Sequence, residues 1–377
     1  MRVAVVIDSV PSYRRGFYER LLENPEIDLT VYCQSHVRGF NLRLIHRELG
    51  EHFVEVPFVS TGRHQAAWQW LPVRHLLKNF DVYYFHGNPR IVSTLVWATL
   101  FRLIGRKVVI WGQAHTAGAN PATESIRHAW WRLFRNFLVY TDAEIDYLRG
   151  RGFGNKRIRS MNNGLNQRDI DAVKAGWPAE RLTAWQREQN LDDRPVLLSC
   201  ARLISKNRFE LMLDALPALA AGDDRIVWAI VGSGEEESSL RSKAADLGVL
   251  DRIRWAGEIY DESALAPWFL SSQFLVHPGA IGLTLMHAFG YGLPVVTHDD
   301  MDFQMPEIAA FEDGVNGRLF RKGDSKSLAM TIASLQQDPS ALAGMRAAAL
   351  ATVRERYNTD VMAERFSDLA RDVFLDQ

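Results

Sequence analysis

The sequence has few cysteines and no excess of charge of either sign. Cys33 and Cys200 are the two cysteines among 377 residues, and they lie far apart in segments with the composition of buried strands. This predicts reduced core thiols, with neither a disulfide nor a metal framework. The formal net charge of -1 gives no electrostatic basis for binding nucleic acid, so we expect no such partner.

Long hydrophobic runs are also missing. The longest apolar stretch, residues 91–103, is interrupted by Ser93, Thr94, Thr99 and Arg102 and falls short of the roughly 20 residues that cross a bilayer. The chain starts directly with a strand pattern and shows no signal-peptide pattern. We therefore expect a soluble, cytoplasmic protein that is at most peripheral at the cytoplasmic face of a membrane.

What the sequence does contain is an alternation of strand-length hydrophobic runs with helical patterns, which is typical of parallel α/β sheets. The first series of predicted strands is Val3–Ile7, Leu29–Cys33, His52–Val56, Val82–Phe85, Lys107–Trp111 and Asn136–Tyr140. The second series is Val196–Cys200, Ile226–Val231, Ile253–Ala256, Gln273–Val276 and Pro294–Thr297. A polar segment separates them, so we predict Rossmann-like domains at 1–168 and 169–350, followed by helices at 351–377.

One expected motif is absent from the first half. A dinucleotide-binding domain would carry G-x-G-x-x-G after its first strand, but Pro11-Ser-Tyr13-Arg14 stands there instead. The first domain is therefore predicted to bind something other than a dinucleotide.

A glycine-rich turn in the second half is the most informative segment. Residues 277–296, HPGAIGLTLMHAFGYGLPVV, read as a strand end, a turn, a helix and another strand. Such a turn places unpaired amides of a helix N-terminus at the carboxyl edge of the sheet, where phosphate or a sugar hydroxyl can be held. The segment predicts a site for a small anionic ligand.

This segment resembles the donor-site signature of the retaining glycosyltransferases of family 4, roughly E-G-F-G-L-x-x-x-E-A-x-A-x-G-x-P-V-V. The matching positions are Gly282, Leu283, Ala288, Gly292, Pro294, Val295 and Val296. The two glutamates fall on Gly279 and His287, as in a branch of the family with P-G-x-x-G-L-x-x-x-H. That branch continues with the pattern found here at Thr297, His298, Gln304, Met305, Pro306 and Glu307. The resemblance implies the GT-B fold, with two facing Rossmann-like domains and a last helix that crosses back to the first.

The resemblance also assigns residues to a nucleotide-sugar site in the second domain. The cations after the strand ending at Cys200 suit the diphosphate of a leaving nucleotide: Arg202, with Lys206 or Arg208 in place of the family's lysine. The other donor residues that it implies are Gly232, Gly257, Ile259, Gly279, Gly282, Leu283, Thr284, His287 and Glu307. Three alternatives stay open: that the cations are solvated residues at the start of a helix, that His287 has a structural role, and that Glu307 caps the helix beginning at Pro306.

For the first domain the resemblance implies an acceptor site. His115 follows a predicted strand, where many family members have a histidine facing the transferred sugar, although a loop histidine without a role is the alternative. Asn88 and Arg90 belong to a G-N-P-R element of the same branch. Together with Tyr13 and Arg14 they are the predicted acceptor-binding residues.

Residues 126–140 mix arginines with aromatic residues. This composition suits a bilayer surface that carries a lipid-linked acceptor, and it equally suits a core helix with a solvated arginine face.

The resemblance therefore implies a retaining glycosyltransferase that moves a sugar from a nucleotide-diphosphate sugar to a glycan or lipid-linked acceptor in bacterial surface-polysaccharide synthesis. The resemblance implies that the reaction needs no metal or cofactor. A GT-B epimerase or phosphorylase, or a non-catalytic sugar-nucleotide-binding subunit, are the alternatives.

Overall fold

The computed structural model describes residues 1–35, 44–61, 66–115 and 121–376. The chain divides into two compact units, residues 1–166 with 358–377, and residues 167–357. In the described residues, no helix has the length and apolar character needed to cross a bilayer.

The first unit is built on a seven-stranded parallel sheet with the order β3-β2-β1-β6-β7-β8-β9. Its strands are β1 Arg2–Val6, β2 Asp28–Cys33, β3 Phe53–Glu55, β6 Val82–His86, β7 Lys107–Trp111, β8 Asn136–Val139 and β9 Arg157–Ser160, and an antiparallel hairpin is formed by β4 Phe58–Thr61 and β5 Ala66–Gln69. Its helices are α1 Arg15–Leu22, α2 Val73–Asn79, α3 Val92–Leu103, α4 Pro121–Trp131 and α5 Asp142–Leu148.

The second unit contains a six-stranded parallel sheet with the order β12-β11-β10-β13-β14-β15. Its strands are β10 Val196–Cys200, β11 Val227–Val231, β12 Ile253–Gly257, β13 Phe274–His277, β14 Val295–His298 and β15 Gly317–Phe320. Its helices are α6 Gln167–Ala175, α7 Ala179–Glu188, α8 Glu210–Gly222, α9 Glu237–Asp246, α10 Glu262–Leu270, α11 Leu283–Gly290, α12 Ser325–Gln336 and α13 Pro339–Glu355. The order is that of a Rossmann sheet, with the chain reversing its direction of travel between β10 and β13.

The last helix, α14 Thr359–Leu375, belongs to the first unit. The Asn358 side chain accepts the Val361 amide and so starts this helix after the break that separates it from α13. Phe366 is fully buried, and its ring stacks on Tyr84 of β6 at 4.0 Å. The segment 351–377 is therefore largely helical, as predicted, and α14 completes the core of the first unit.

All the predicted strands form, within a residue or two of the expected bounds. Fully buried runs such as those of β1 and β11 can be recognised because parallel strands are covered on both faces. The α/β fold with two Rossmann-like parallel sheets is confirmed. β4, β5, β9 and β15 are strands that the hydrophobic runs do not predict.

Candidate functional site

The carboxyl edge of the second sheet gathers the loops that the sequence analysis singled out. β10 pairs with β11 on one side and with β13 on the other, so Leu198 lies opposite both Ala229 and Leu275. The loops after these strands leave the sheet where its strand order reverses. This is the position at which open α/β sheets bind ligands.

Two glycines allow these loops to touch backbone to backbone. A Cβ on Gly232, whose φ is +144°, would lie 2.0 Å from the carbonyl oxygen of Ala201, and a Cβ on Gly279 would lie 2.3 Å from that of Lys206. The Leu203 amide also donates to the Ser233 carbonyl at 2.8 Å. The loops after β10, β11 and β13 therefore form one packed surface.

Gly282 precedes the first turn of α11 at this surface, and Leu283 begins the helix. The Thr284 hydroxyl donates a hydrogen bond to the carbonyl of Cys200 at 3.2 Å, which ties α11 to the end of β10. The first-turn amides of α11 therefore lie at the reversal point, where a helix N-terminus favours an anion.

The loop after β14 is attached to the same turn. The buried Gln304 accepts the Ile281 amide at 2.8 Å and donates to Thr297 at 3.0 Å. Glu307 is 4% exposed, and its Oε2 lies 3.7 Å from the position that a Cβ on Gly282 would take. This carboxylate is thus next to the N-terminus of α11.

The three candidate cations have different surroundings. Arg202 is exposed, and no carboxylate in the described part of the chain forms an ion pair with it. Lys206 Nζ lies 3.6 Å from the Met305 sulfur, toward the loop after β14. Arg208 pairs with Glu210. Lys206 is therefore better placed than Arg208 to meet a ligand at the α11 turn.

The predicted donor residues Gly257 and Ile259 lie at the end of β12 and just after it. Gly257 ends that strand with a φ of +71°, and its carbonyl accepts the Gly232 amide at 2.7 Å. Ile259 is half-buried two residues later. Both predicted residues therefore lie at the same carboxyl edge as Gly232.

His287, which stands where the family signature has its second glutamate, contacts a carboxylate from another helix. Its Nε2 is 2.8 Å from Oε1 of Glu262, the first residue of α10, and its ring lies 4.6 Å from that of Phe269. The sequence analysis did not single out Glu262.

His277, at the end of β13, was also missed. Its ring is 2% exposed, and burial lowers its pKa to about 4, with His298 and Lys206 adding to the effect. The imidazole is therefore neutral at physiological pH.

The predicted acceptor residues lie at the carboxyl edge of the first sheet. Tyr13 is 41% exposed in the one-turn helix after β1, whereas Arg14 is buried with its guanidinium 5.5 Å from the ring centroids of Tyr13 and Tyr140. Arg90 is exposed after β6, and its amide donates to Asn88 Oδ1 at 3.1 Å. Because β1 and β6 are neighbours at the reversal point of this sheet, the loops that carry these four residues leave adjacent strands at the same edge.

His115 follows β7 at the same edge. Its Nδ1 lies 2.9 Å from Glu124 Oε1 of α4. The buried Glu144 accepts the amide of Ala114 at 2.6 Å and that of His115 at 3.5 Å. Buried groups therefore hold the His115 loop in place.

The aromatic residues of the segment 126–140 do not face solvent. Trp130, Trp131 and Phe134 are buried among the aromatic side chains of the first unit, while Arg132 and Arg135 are exposed. For these three aromatic rings the core-helix alternative is correct, and they are not available to a bilayer.

The comparisons with known proteins agree with this geometry. The family model described as "Glycosyl transferases group 1" matches residues 183–351, which contain all the loops of the second sheet's carboxyl edge. A phosphatidyl-myo-inositol mannosyltransferase of Mycobacterium leprae is 27% identical over 315 residues, covering 81% of this chain and 76% of that protein. An amylovoran biosynthesis glycosyltransferase of Erwinia amylovora is 26% identical over 216 residues and is matched over about half its length, 52%.

Solved structures extend the likeness to the whole fold. A glycosyltransferase from Rickettsia africae superposes with a TM-score of 0.75 at 13% identity, over 100% of this chain and 99% of that one. Anabaena HepE in complex with UDP gives 0.73 at 15% identity, over 99% and 100% of the two chains. Residues 183–351 are thus a glycosyl transferases group 1 domain, in a chain that has the GT-B fold and glycosyltransferases among its sequence relatives.

Proposed function

We propose that this chain is a retaining glycosyltransferase that transfers a sugar from a nucleotide-diphosphate sugar to a glycan or lipid-linked acceptor, in bacterial surface-polysaccharide synthesis. One observation carries the proposal. At the reversal point of the second sheet, the N-terminus of α11 and the cations Arg202 and Lys206 lie on loops packed together at Gly232 and Gly279.

The chemistry follows from the charge that develops on the leaving group. When the bond between the anomeric carbon and the diphosphate oxygen breaks, negative charge builds up on the diphosphate. Cations and helix amides fixed in advance stabilise that charge without reorganising. The acceptor oxygen attacks from the face that the diphosphate leaves, and the departing phosphate oxygen takes its proton, so the anomeric configuration is retained. The charge is met by Arg202 and Lys206, and we propose that no metal is needed.

We assign the acceptor to the first unit, at the edge that carries Tyr13, Asn88 and Arg90. We propose that His115, whose Nδ1 contacts Glu124, faces the transferred sugar at this edge. Arg14 is buried between two tyrosine rings, so its proposed part is to shape this edge.

The relatives differ in donor. Several mycobacterial relatives are named as GDP-mannose-dependent mannosyltransferases, and the Anabaena protein was solved with UDP-glucose. Both bases therefore belong in the first test.

The test is a thermal-shift series with UDP, GDP, ADP, CMP and dTDP and their sugars. A ligand at a hundredfold its Kd adds about 2.7 kcal/mol to the free energy of unfolding. We expect a shift with one diphosphate, its loss in Arg202→Ala, and its retention in Arg225→Ala, because Arg225 precedes β11 at the opposite edge of the sheet and is paired with Asp223.

The donor that binds is then incubated with glycan and lipid-linked acceptors, and the anomeric configuration of the product is read by NMR. No shift with any nucleotide would contradict the donor site. Turnover to an isomerised nucleotide sugar, or to a sugar phosphate without acceptor, would favour the epimerase or phosphorylase alternative. Binding with no turnover would favour a non-catalytic subunit.

We also propose that the protein works in the cytoplasm and docks on the membrane through the amino edge of the first sheet. Leu103 and Ile104, at the end of α3, are 74% and 59% exposed, and Leu133 is 53% exposed. The cations nearby are Arg102, Arg106, Lys107, Arg132, Arg135 and Lys156, and the one carboxylate among the described residues that line the same cavity, Asp376, pairs with Arg157. Apolar side chains ringed by cations suit an anionic lipid surface.

Vesicle sedimentation tests this surface. We expect binding to phosphatidylglycerol vesicles, weaker binding to phosphatidylcholine, and loss in a variant with Arg106→Glu and Arg135→Glu. Arg321→Glu, a charge reversal on an exposed arginine of the second unit, is the control. Equal binding by the double variant would rule out this surface.

A further inference from the structure

Glu262 forms hydrogen bonds that have no part in the sugar transfer proposed above. Its Oε1 is 2.8 Å from His287 Nε2 and accepts the Tyr291 hydroxyl at 2.6 Å. Burial opposes ionisation, but the hydrogen bonds from His287 and Tyr291 hold the pKa of this carboxyl below its ordinary value. Two side chains of α11 therefore orient an ionised carboxylate that belongs to α10.

The carboxylate is near the end of β10. Burial and the nearby Glu262 charge together raise the pKa of the Cys200 thiol to about 12. The Cys200 carbonyl accepts a hydrogen bond from the hydroxyl of Thr284, which lies in the first turn of α11. Glu262 and the N-terminus of α11 thus both lie beside the strand at which the sheet order reverses.

One oxygen of the Glu262 carboxylate, Oε2, is available to accept a hydrogen bond. Both hydrogen bonds go to Oε1, and within the described ranges no residue donates to Oε2. The side chain is 35% exposed. Helix capping does not explain it, because Asp261 is the N-cap residue of α10 and accepts the Ala264 amide at 2.9 Å. Glu262 therefore has a fixed orientation and a free acceptor.

α11 itself has no carboxylate to offer. Residues 283–290 read LTLMHAFG, without aspartate or glutamate. In Rossmann nucleotide sites, an acidic side chain accepts a hydrogen bond from a ribose hydroxyl. His287 brings such a side chain to α11 from the neighbouring helix.

We propose that Glu262 binds the ribose diol of the nucleotide donor, with His287 and Tyr291 as its positioning residues. This rests on the proposed donor site in the second unit. The diol donates to the carboxylate, so the protein distinguishes ribonucleotides from their deoxy analogues at this point.

The experiment measures Kd by titration calorimetry for the nucleoside diphosphate that binds best and for its 2′,3′-dideoxy analogue. Removing a charge-assisted hydrogen bond lowers affinity by about tenfold or more. We expect the native protein to prefer the ribonucleotide by that factor and Glu262→Gln to lose most of the preference while binding the dideoxy analogue unchanged. His287→Phe should reduce the preference by a smaller factor.

Glu237→Gln is the matched control, because Glu237 is the first residue of α9, is 34% exposed and pairs with Arg241 instead of a histidine. Arg202→Ala should weaken both nucleotides equally, since it acts on the diphosphate. An unchanged preference in Glu262→Gln, or its loss in Glu307→Gln instead, would overturn the proposal and leave the donor site standing. Failure of the native protein to bind any nucleotide would overturn both.

Discussion

At the scale of single residues, two glycines and a buried, neutral histidine shape the site. Gly232 and Gly279 let three loops meet backbone to backbone. His277 occupies the end of β13 beneath the α11 turn and is neutral because it is buried. A charged imidazole there would have no water to solvate it, and this has a measurable consequence for stability.

We predict that His277 makes the protein less stable in acid. Its pKa is lowered from 6.5 to about 4, so between these values the unfolded chain binds a proton that the folded chain does not. The free energy of unfolding therefore falls as the pH falls through this window, by up to about 3 kcal/mol from this group. His277→Gln should flatten the dependence measured by urea unfolding from pH 7 to pH 4.

The control is His75→Gln, at an exposed position of α2, which should leave the slope as it is. Some dependence will remain in His277→Gln, because burial also lowers the pKa of His128 and of His298. Equal slopes for the native protein and His277→Gln would contradict the prediction.

Sequence and structure differ in an instructive way at this scale. Gly279, Gly282 and Glu307 could be found because turn chemistry and motif spacing are local properties of the chain. Glu262 could not, because it meets His287 only after α10 and α11 have packed side by side. The sequence of α11 alone shows that a carboxylate is missing, but it does not show that Glu262 of α10 takes its place.

At the scale of elements, hydrophobic runs identified the central strands, and the missed strands lacked that signal. β9 and β15 lie at the outer edges of their sheets, where a strand has one neighbour. β9 reads RIRS, and Arg159 pairs with Asp368 and Asp372 of α14. Because ion pairs cover this edge strand, it carries no hydrophobic run. Its charge partners lie about 210 residues away in the chain, so no local pattern predicts the strand.

One element junction carries a second prediction. Glu144, the third residue of α5, forms a capping box with Thr141, and it also accepts hydrogen bonds from the amides of Ala114 and Tyr140. Glu144→Gln replaces an acceptor oxygen by an amide group that faces N–H donors. We expect a loss of about 2 kcal/mol or more in the free energy of unfolding, with faster hydrogen exchange at the Ala114 amide.

Asp146→Asn, on the same helix but with an 83% exposed side chain, is its control and should change neither quantity measurably. The same Ala114 exchange rate in Glu144→Gln and the native protein would show that this carboxylate does not hold the loop of His115.

At the scale of the whole molecule, the fold could be predicted because two series of hydrophobic runs and a family signature agree. The extent of the first unit is set by packing that no local pattern encodes. α14 returns to the first unit, where Phe366 packs on Tyr84 and Arg20 of α1 bonds Asp360 at 2.6 Å. The second unit is one continuous segment, whereas the first is assembled from two.

This return has a consequence for synthesis on the ribosome. Domains generally fold in the order in which they emerge, but here residues 167–357 are available as a complete unit before Met362, Phe366 and Leu369 have been added. Until then the side chains of α1, β6, β8 and β9 that α14 packs against stay exposed to the chaperones and proteases that meet a nascent chain. The first unit therefore begins to emerge before the second unit and is completed after it.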